Sequence, residues 1–201
     1  MDKIGLMGGT FNPIHNAHLQ MAQECLEAFG LDRILFIPAG QPYMNKDMGD
    51  VLSATERAYM TRLGIEGNPA FEFCDLELNR EGISYTCDTL NQLITNSPDD
   101  MYYILVGGDS FMDMEKWKHS SFLFHNAVIG VSYRSTVAED KILATKKHYE
   151  EDLLAKVRIN QMLTLEISSS DIRRRVREGK DIRYLVPQAV ADYIEEKNLY
   201  R

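Results

Sequence analysis

The stretch 8–18, GGTFNPIHNAH, limits what this chain can fold into more than any other part of the sequence. An apolar run at 4–7 leads into it and an amphipathic run at 19–29 follows it, which predicts a strand, a glycine-containing turn and a helix. A second apolar run lies at 33–37. A strand, a helix and a strand in so short a space form a right-handed parallel unit, so we expect a parallel sheet. We call 8–18 the glycine turn.

The glycine turn has the features of an anion site. Adjacent glycines let a ligand approach the backbone closely, and a helix N-terminus offers N–H groups and partial positive charge. His15 and His18 are three residues apart and share a helix face, so their imidazoles can address one phosphate together. Spacing alone leaves open a simple turn with polar surface histidines. It also leaves open a metal site, although no Cys or acidic residue nearby completes one.

The glycine turn resembles the first signature of the nucleotidylyltransferase superfamily, whose core is HxGH. The longer string is similar to that of bacterial nicotinate-nucleotide adenylyltransferases. Two positions depart from the pattern, because Ala17 replaces the glycine between the histidines and Asn12 stands where aspartate is frequent. We expect the alanine to be tolerated, since it adds only a methyl group. We expect the asparagine to keep the capping ability of aspartate without its charge.

This resemblance assigns roles to the residues of the glycine turn. It implies that His18 donates a hydrogen bond to the α-phosphate of ATP in the transition state, and that His15 positions phosphate beside it. It also implies that four further residues of the turn bind ATP: Gly8, Gly9, Thr10 and Phe11.

A second stretch, 167–173, resembles the family's other signature, which binds the β- and γ-phosphates of ATP. Ser168 and Ser169 lie at a predicted helix start, where hydroxyls and backbone amides can bind an anion. Arg173 lies one turn into that helix and can fold back onto the same anion. From spacing alone, a capped helix with a basic surface remains the alternative.

Two more candidates lie between the signatures. Lys46, in the polar loop 38–52, is similar in place to a family lysine that contacts ATP phosphates, although a solvated loop lysine fits as well. Thr86 follows a tyrosine in a Ser-Tyr-Thr string that the family also carries, where the threonine helps to hold the carboxylate of a pyridine ring. Helix initiation is the simpler explanation of Thr86.

Three further residues complete the predicted mononucleotide site. Asp109 follows a buried strand, where an acidic side chain would face a nucleotide ribose or cap a helix. The segment that carries Asp109 and Trp117 resembles one of the family, and this resemblance implies that Trp117 stacks on the pyridine ring. A lone tryptophan could equally lie in the core, but its polar neighbours favour an exposed edge. Arg134 ends a predicted strand at a place where the family also has an arginine, and this resemblance implies that Arg134 helps to bind the mononucleotide.

The 201 residues are expected to form one domain, 1–201, of the α/β class. The predicted fold is Rossmann-like: a doubly wound, mainly parallel sheet with helices on both faces and a small C-terminal helical part. In the second half of the chain, a helix is predicted from Thr136 to about 155 and a last strand over 162–167. Earlier in the chain, one or two short strands are predicted over 71–78.

Composition narrows the class of protein. The net charge of −8 argues against general nucleic-acid binding, so any field that attracts anionic substrates must be local. Three widely spaced cysteines without a CxxC pair indicate a reducing, cytoplasmic location. We expect neither a signal peptide nor a membrane span. The sequence leaves open whether the chain forms a homo-oligomer.

The resemblance predicts the activity of a nicotinate-nucleotide adenylyltransferase, which joins ATP and nicotinate mononucleotide into deamido-NAD and pyrophosphate during NAD biosynthesis. Mg²⁺ is expected to enter with ATP, bound mainly by substrate and water, since the sequence shows no dedicated carboxylate site. Two alternatives stay open. One is another nucleotidylyltransferase, with nicotinamide mononucleotide or phosphopantetheine as acceptor, and the other is a non-catalytic nucleotide-binding regulator.

Overall fold

The structure is a computed structural model that describes residues 1–43, 50–134, 139–162 and 165–201. Strands and helices alternate along most of the described chain. In chain order the elements are β1 (Lys3–Gly9), α1 (Asn16–Phe29), β2 (Arg33–Pro38), α2 (Ala54–Ile65), β3 (Phe71–Phe73), α3 (Thr86–Asn96), β4 (Met101–Gly107), α4 (Gly108–Met112), α5 (Ser120–Asn126), β5 (Val128–Arg134), α6 (Glu139–Glu151), β6 (Lys156–Met162), α7 (Ser169–Arg177) and α8 (Gln188–Glu196). A short 3-10 helix, Met114–Lys116, lies between α4 and α5.

The described strands form a six-stranded sheet in the order β3-β2-β1-β4-β5-β6. β4 pairs in parallel with β1 and with β5, and β5 pairs in parallel with β6. The chain builds outward from β1 to β3 and then returns to the other side of β1 with β4. In open parallel sheets, ligands bind at the carboxyl ends of the strands beside such a reversal. The predicted Rossmann-like α/β fold is confirmed.

The chain divides into two compact units. The first unit consists of Met1–Gly8, Met21–Leu35 and Tyr85–Thr164, and the second consists of Gly9–Gln20, Phe36–Ser84 and Leu165–Arg201. Each unit therefore combines three separate segments, which no boundary in composition marks. The expectation of one domain stays a prediction.

Each unit has its own apolar core. In the first, β4 is buried from Tyr102 to Val106, as expected for a parallel strand covered on both faces. In the second, the Phe36 ring is fully buried, with its centroid 5.0 Å from that of Phe71 and 6.1 Å from that of Phe11. The second core thus reaches the glycine turn directly.

The strand predicted over 162–167 is wrong. β6 lies earlier, at Lys156–Met162, and 165–168 have no regular secondary structure. The helix predicted to reach 155 ends at Glu151. β6 is the last strand in the sheet order, and its exposed positions carry charged and polar side chains. Such side chains protect an edge strand from pairing with other chains, and here they hide the apolar signal.

Two other predictions concern the bounds of elements. Of the one or two short strands predicted over 71–78, one is present, at Phe71–Phe73. The predicted start of a helix at Thr136 lies outside the described residues.

Gly40 lies where two backbone segments of the second unit come close, so it provides a test of this packing. A Cβ at Gly40 would overlap the carbonyl oxygen of Glu77, and a backbone atom cannot move aside as a side chain can. We expect Gly40→Ala to lower the free energy of unfolding by about 3 kcal/mol, the upper end for overpacking. Chemical denaturation measures this change.

Gly107→Ala is the matched control, because its Cβ would meet no other heavy atom within 4 Å. It should stay within about 1 kcal/mol of the unaltered chain. Equal stability of the two variants would contradict the close approach at Gly40.

Candidate active site

The glycine turn begins where β1 ends, and its two glycines differ in their surroundings. A Cβ at Gly9 would lie 3.0 Å from two carbons of the Phe11 ring, so this position must stay small for the ring to pack. A Cβ at Gly8 would meet no heavy atom within 4 Å, which leaves space beside the backbone. Phe11 is 3 % exposed and has a φ of 48°. Thr10 is half-buried and follows Gly9 directly.

The two histidines of the turn lie in contact. Their rings stack with centroids 3.6 Å apart and an interplanar angle of 16°. The ring of Phe11 meets that of His18 edge-on, at 5.1 Å. His15 is buried and His18 is half-buried. The imidazole of His18 is therefore in contact with two other rings, and these contacts favour one orientation.

One hydrogen bond settles which nitrogen of His18 carries the proton. The backbone N–H of His15 donates to Nδ1 of His18 at 3.2 Å, so Nδ1 accepts and the proton of a neutral ring is on Nε2. Burial, and then the charge of His15, hold the pKa of His18 well below its usual value. His18 is thus a neutral imidazole that offers its Nε2–H, the form suited to donate to a phosphate oxygen.

The second signature docks onto the first. Ser169 Oγ donates to the carbonyl oxygen of Pro13 at 2.9 Å, and Nη1 of Arg173 donates to that of Asn12 at 3.0 Å. Ser168 is the N-cap of α7, and its Oγ accepts from the N–H of Asp171 at 3.1 Å. These two hydrogen bonds join residues that are separated by 156 and 161 positions in the sequence.

The Nε–H group of Arg173 is a buried donor that makes no hydrogen bond with the described residues. The side chain of Arg173 as a whole is buried. Oδ2 of Asp50 lies 4.0 Å from Nε, and the same oxygen accepts from Arg177 at 3.0 Å. A buried N–H without a partner costs about 1–3 kcal/mol, so a bound anion at this atom would be strongly favoured.

The anion site predicted at the start of α1 requires backbone N–H groups that are not paired within the protein, and two of these groups are paired. The N–H of Asn16 donates to the carbonyl oxygen of Leu185 at 2.9 Å, and that of His15 is used by His18. Two amides expected to bind an anion are therefore satisfied within the protein. Among the described residues, Nε of Arg173 is a buried donor beside the turn that makes no hydrogen bond.

A residue that sequence reasoning missed holds this arrangement together. Arg57, on α2, is 1 % exposed, and its guanidinium donates to four backbone carbonyls. The acceptors are the carbonyl oxygens of Thr10 at 2.8 Å, Ala39 at 2.6 Å, Gly40 at 3.0 Å and Leu52 at 3.1 Å. Burial lowers the pKa of Arg57 below its usual value, but an arginine stays charged in proteins.

The sequence carries a signal for Arg57. The buried residues of α2 recur at helical spacing, at Arg57, Ala58, Met60, Thr61, Gly64 and Ile65. An arginine on the buried stripe of a helix must have several acceptors, since an unpaired buried charge is very costly. Its place in the stripe therefore predicts a structural or functional cation.

The first unit brings the start of α3 and the turn after the 3-10 helix together. Nζ of Lys118 lies 4.2 Å from the ring centroid of Tyr85 and 3.2 Å from Oδ2 of Asp88. Lys118 therefore joins the segment that carries Thr86, the first residue of α3, to the segment that carries Trp117. Both Thr86 and Trp117 are half-buried.

The other predicted site residues are placed as follows. Asp109 is exposed, in the first turn of α4, and Arg134 is the last residue of β5. Lys46 lies outside the described residues. The predicted binding roles of these residues stay predictions.

Within the described ranges, no three His, Cys, Asp or Glu side chains are grouped so that they could hold a metal ion. None of the helices formed by the described residues is both long and apolar enough to cross a lipid bilayer.

Comparisons with known proteins agree with the resemblance of the two signatures. The model of the cytidylyltransferase-like family matches residues 6–175. A protein of Lachnoclostridium phytofermentans, named probable nicotinate-nucleotide adenylyltransferase, is 38 % identical over 200 residues, which cover 100 % of both chains. A protein of Geotalea uraniireducens with the same name is 40 % identical over 218 residues, which cover 98 % of each.

A solved structure has the same fold. The nicotinic acid mononucleotide adenylyltransferase of Plasmodium falciparum, complexed with NaAD, superposes with a TM-score of 0.81 at 21 % identity and covers 100 % of this chain and 98 % of that one. The similarity at this level of identity concerns the fold.

The protonation of His18 can be measured directly. We expect long-range ¹H–¹⁵N NMR to show a neutral ring with its proton on Nε2 at pH 6.5, because burial and His15 lower its pKa. As the pH falls, the His18 ring of the unfolded chain takes up a second proton before the ring of the folded chain does. The contribution of His18 to stability is therefore full above about pH 6.5 and is lost as the pH falls below it.

His148 serves as the control in the same NMR measurement, because its pKa is shifted in the opposite direction. The carboxylate of Asp152, and then that of Glu115, raise the pKa of His148, so its ring should still be protonated at the same pH. Imidazolium shifts for His18 at pH 6.5 would overturn the assignment.

Proposed function

This chain belongs to the cytidylyltransferase-like family and, within it, to the nicotinate-nucleotide adenylyltransferases, and on that premise we propose how it transfers the adenylyl group of ATP to nicotinate mononucleotide. An oxygen of the 5′-phosphate of nicotinate mononucleotide attacks the α-phosphorus of ATP. The bond from that phosphorus to the bridging oxygen of pyrophosphate breaks. Deamido-NAD and pyrophosphate are the products. The observation that carries the proposal is the docking of Arg173 and Ser169 onto the turn that bears the two histidines.

His18 acts on the α-phosphate. Its Nε2–H donates to a non-bridging oxygen, where charge grows in the transition state. Because the ring is stacked against His15 and fixed by the bond at Nδ1, this donor is oriented before the substrate arrives. Catalysis then consists of positioning and charge stabilisation, and no protein nucleophile is needed.

Arg173, Ser169, Ser168 and Lys46 hold the leaving pyrophosphate. Nε of Arg173 supplies a buried donor next to the turn, and the N-terminus of α7 adds partial positive charge. Gly8 leaves space at the backbone for the phosphates of ATP. Binding at these groups favours charge that moves onto the leaving group.

The acceptor mononucleotide binds through residues of the first unit. Thr86 holds the carboxylate of the pyridine ring, Trp117 stacks on the ring, and Asp109 binds ribose hydroxyls. Arg134, the last residue of β5, is the fourth residue that we assign to mononucleotide binding. The support for Thr86 and Trp117 is their half-buried state, together with the link that Lys118 makes between their two segments.

The family generally uses a divalent metal, and we assign this role to Mg²⁺ that enters with ATP. Phosphate oxygens and water are hard ligands of the kind that Mg²⁺ prefers. The protein residues named above act on the phosphates themselves.

We also propose that the chain works as one catalytic domain on small-molecule substrates, without nucleic acid. Its charge of −8 disfavours a nucleic-acid partner. The three cysteines are all free thiols, which fits the reducing cytoplasm.

The substrate is tested by release of pyrophosphate from ATP with each mononucleotide. We expect kcat/KM for nicotinate mononucleotide to exceed that for nicotinamide mononucleotide by at least about 100-fold, because a site built for a carboxylate leaves groups mismatched against an amide. Equal values would contradict the assignment. Turnover only with phosphopantetheine would indicate a different nucleotidylyltransferase, and ATP binding without any turnover would indicate a regulator.

The mechanism is tested by His18→Ala. We expect kcat to fall on the order of 100-fold, the cost of one lost donor to a developing charge, with the KM for ATP changed less than about 3-fold. His18→Gln is the control, since it keeps a side-chain N–H and should lose less activity. A wild-type kcat for His18→Ala would refute this role of the imidazole.

A further inference from the structure

The side chain of Asn12 joins three separate parts of the second unit. Its Nδ2 donates to the carbonyl oxygen of Asp50 at 2.9 Å, and its Oδ1 accepts from the N–H of Leu52 at 3.2 Å. The same Oδ1 lies 2.9 Å from the hydroxyl of Tyr200, the penultimate residue of the chain. Asn12 is 3 % exposed, so these contacts are shielded from water.

The two backbone partners fix how the amide is oriented. The N–H of Leu52 can only donate, so it faces the oxygen of Asn12, and the carbonyl of Asp50 can only accept, so it faces the nitrogen. The Tyr200 hydroxyl, which faces Oδ1, must therefore donate its proton. Burial raises the pKa of Tyr200, although the guanidinium groups of Arg173 and Arg57 are close enough to oppose this rise. The hydroxyl thus stays protonated and remains a donor.

Tyr200 is itself held in place. α8 ends at Glu196, and the N–H of Leu199 donates to the carbonyl oxygen of Ile194 at 3.0 Å. The hydroxyl of Tyr193 on α8 donates to Glu56 of α2 at 2.6 Å. The last residues of the chain are therefore anchored to the helix that also carries Arg57.

We propose that Tyr200 is a positioning residue for adenylyl transfer, whose hydroxyl holds the histidine-bearing turn in place through Asn12. The proposal rests on the proposed function. Asn12 also offers its backbone carbonyl to Arg173, so a shift of this residue moves both signatures at once. A misplacement of about 1 Å in a catalytic geometry costs on the order of 100-fold in rate, so a single loosened bond should have a measurable effect.

The first test compares two tyrosine variants. Tyr200→Phe removes only the hydroxyl, and we expect kcat to fall on the order of 10-fold with both KM values within about 2-fold. Tyr184→Phe is the matched control, because that side chain is 90 % exposed, and it should keep the wild-type kcat. An unchanged kcat for Tyr200→Phe would overturn the proposal, and so would an equal loss in both variants.

The second test asks whether Tyr200 acts through Asn12. In an Asn12→Ala background the acceptor is gone, so adding Tyr200→Phe should change kcat by less than about 2-fold. In an Asn12→Asp background the acceptor remains, so adding Tyr200→Phe should still cost on the order of 10-fold. Independent effects in both backgrounds would show that the hydroxyl does not act through residue 12.

NMR separates failure of this proposal from failure of the proposed function. The ¹⁵N shifts of the His18 ring should move in Tyr200→Phe and stay unchanged in Tyr184→Phe, whatever the enzyme's substrate. Unmoved shifts would overturn the positioning role even if Asn12→Ala did not fold. If the wild-type chain released no pyrophosphate while these shifts moved as expected, the proposed reaction would fail and the structural link would stand.

Discussion

The buried guanidinium of Arg57 is the interaction on which the rest of the second unit depends. One side chain donates to carbonyl oxygens from the glycine turn, from the end of β2 and from the segment before α2. The four residues that offer these carbonyls lie outside the helices and strands of the described chain, so regular backbone pairing does not provide for them. A planar fork with five N–H donors suits this task, because it serves several acceptors at fixed angles. Removing it would leave several buried carbonyls unsatisfied, each at a cost of about 1–3 kcal/mol.

Once the turn is fixed in this way, the chemistry of its histidines follows. Burial, and then the charge of His15 in the ring stacked 3.6 Å away, lower the pKa of His18. The neutral state of His18 is therefore a consequence of packing. The cationic share of the site falls to arginines, which stay charged when buried. In the proposed function, local arginines attract the triphosphate although the net charge of the chain is −8.

The fold around the turn could be predicted from the sequence, because it depends on local patterns. A strand, a glycine turn and a helix in series predict a parallel unit, and the structure has β1, α1 and β2 in these places. The contacts of Tyr200 and Arg173 with Asn12 span 188 and 161 positions, so no local pattern could reveal them. The last strand was predicted too late in the chain, at 162–167, because the local pattern of β6 is that of an exposed edge and carries little apolar signal.

The two departures from the family pattern have different physical consequences. Ala17 is 9 % exposed, so its methyl group adds to the packing of α1 and covers little open surface. Asn12 has a more specific effect, because its Nδ2 donates to the carbonyl of Asp50, and an ionised carboxylate at this position would have no proton to give. A carboxylate would also place a negative charge on the residue whose carbonyl Arg173 binds, in competition with the phosphate that we propose for the same guanidinium. The amide keeps the turn attached to its neighbours and leaves the arginine's charge available to the substrate.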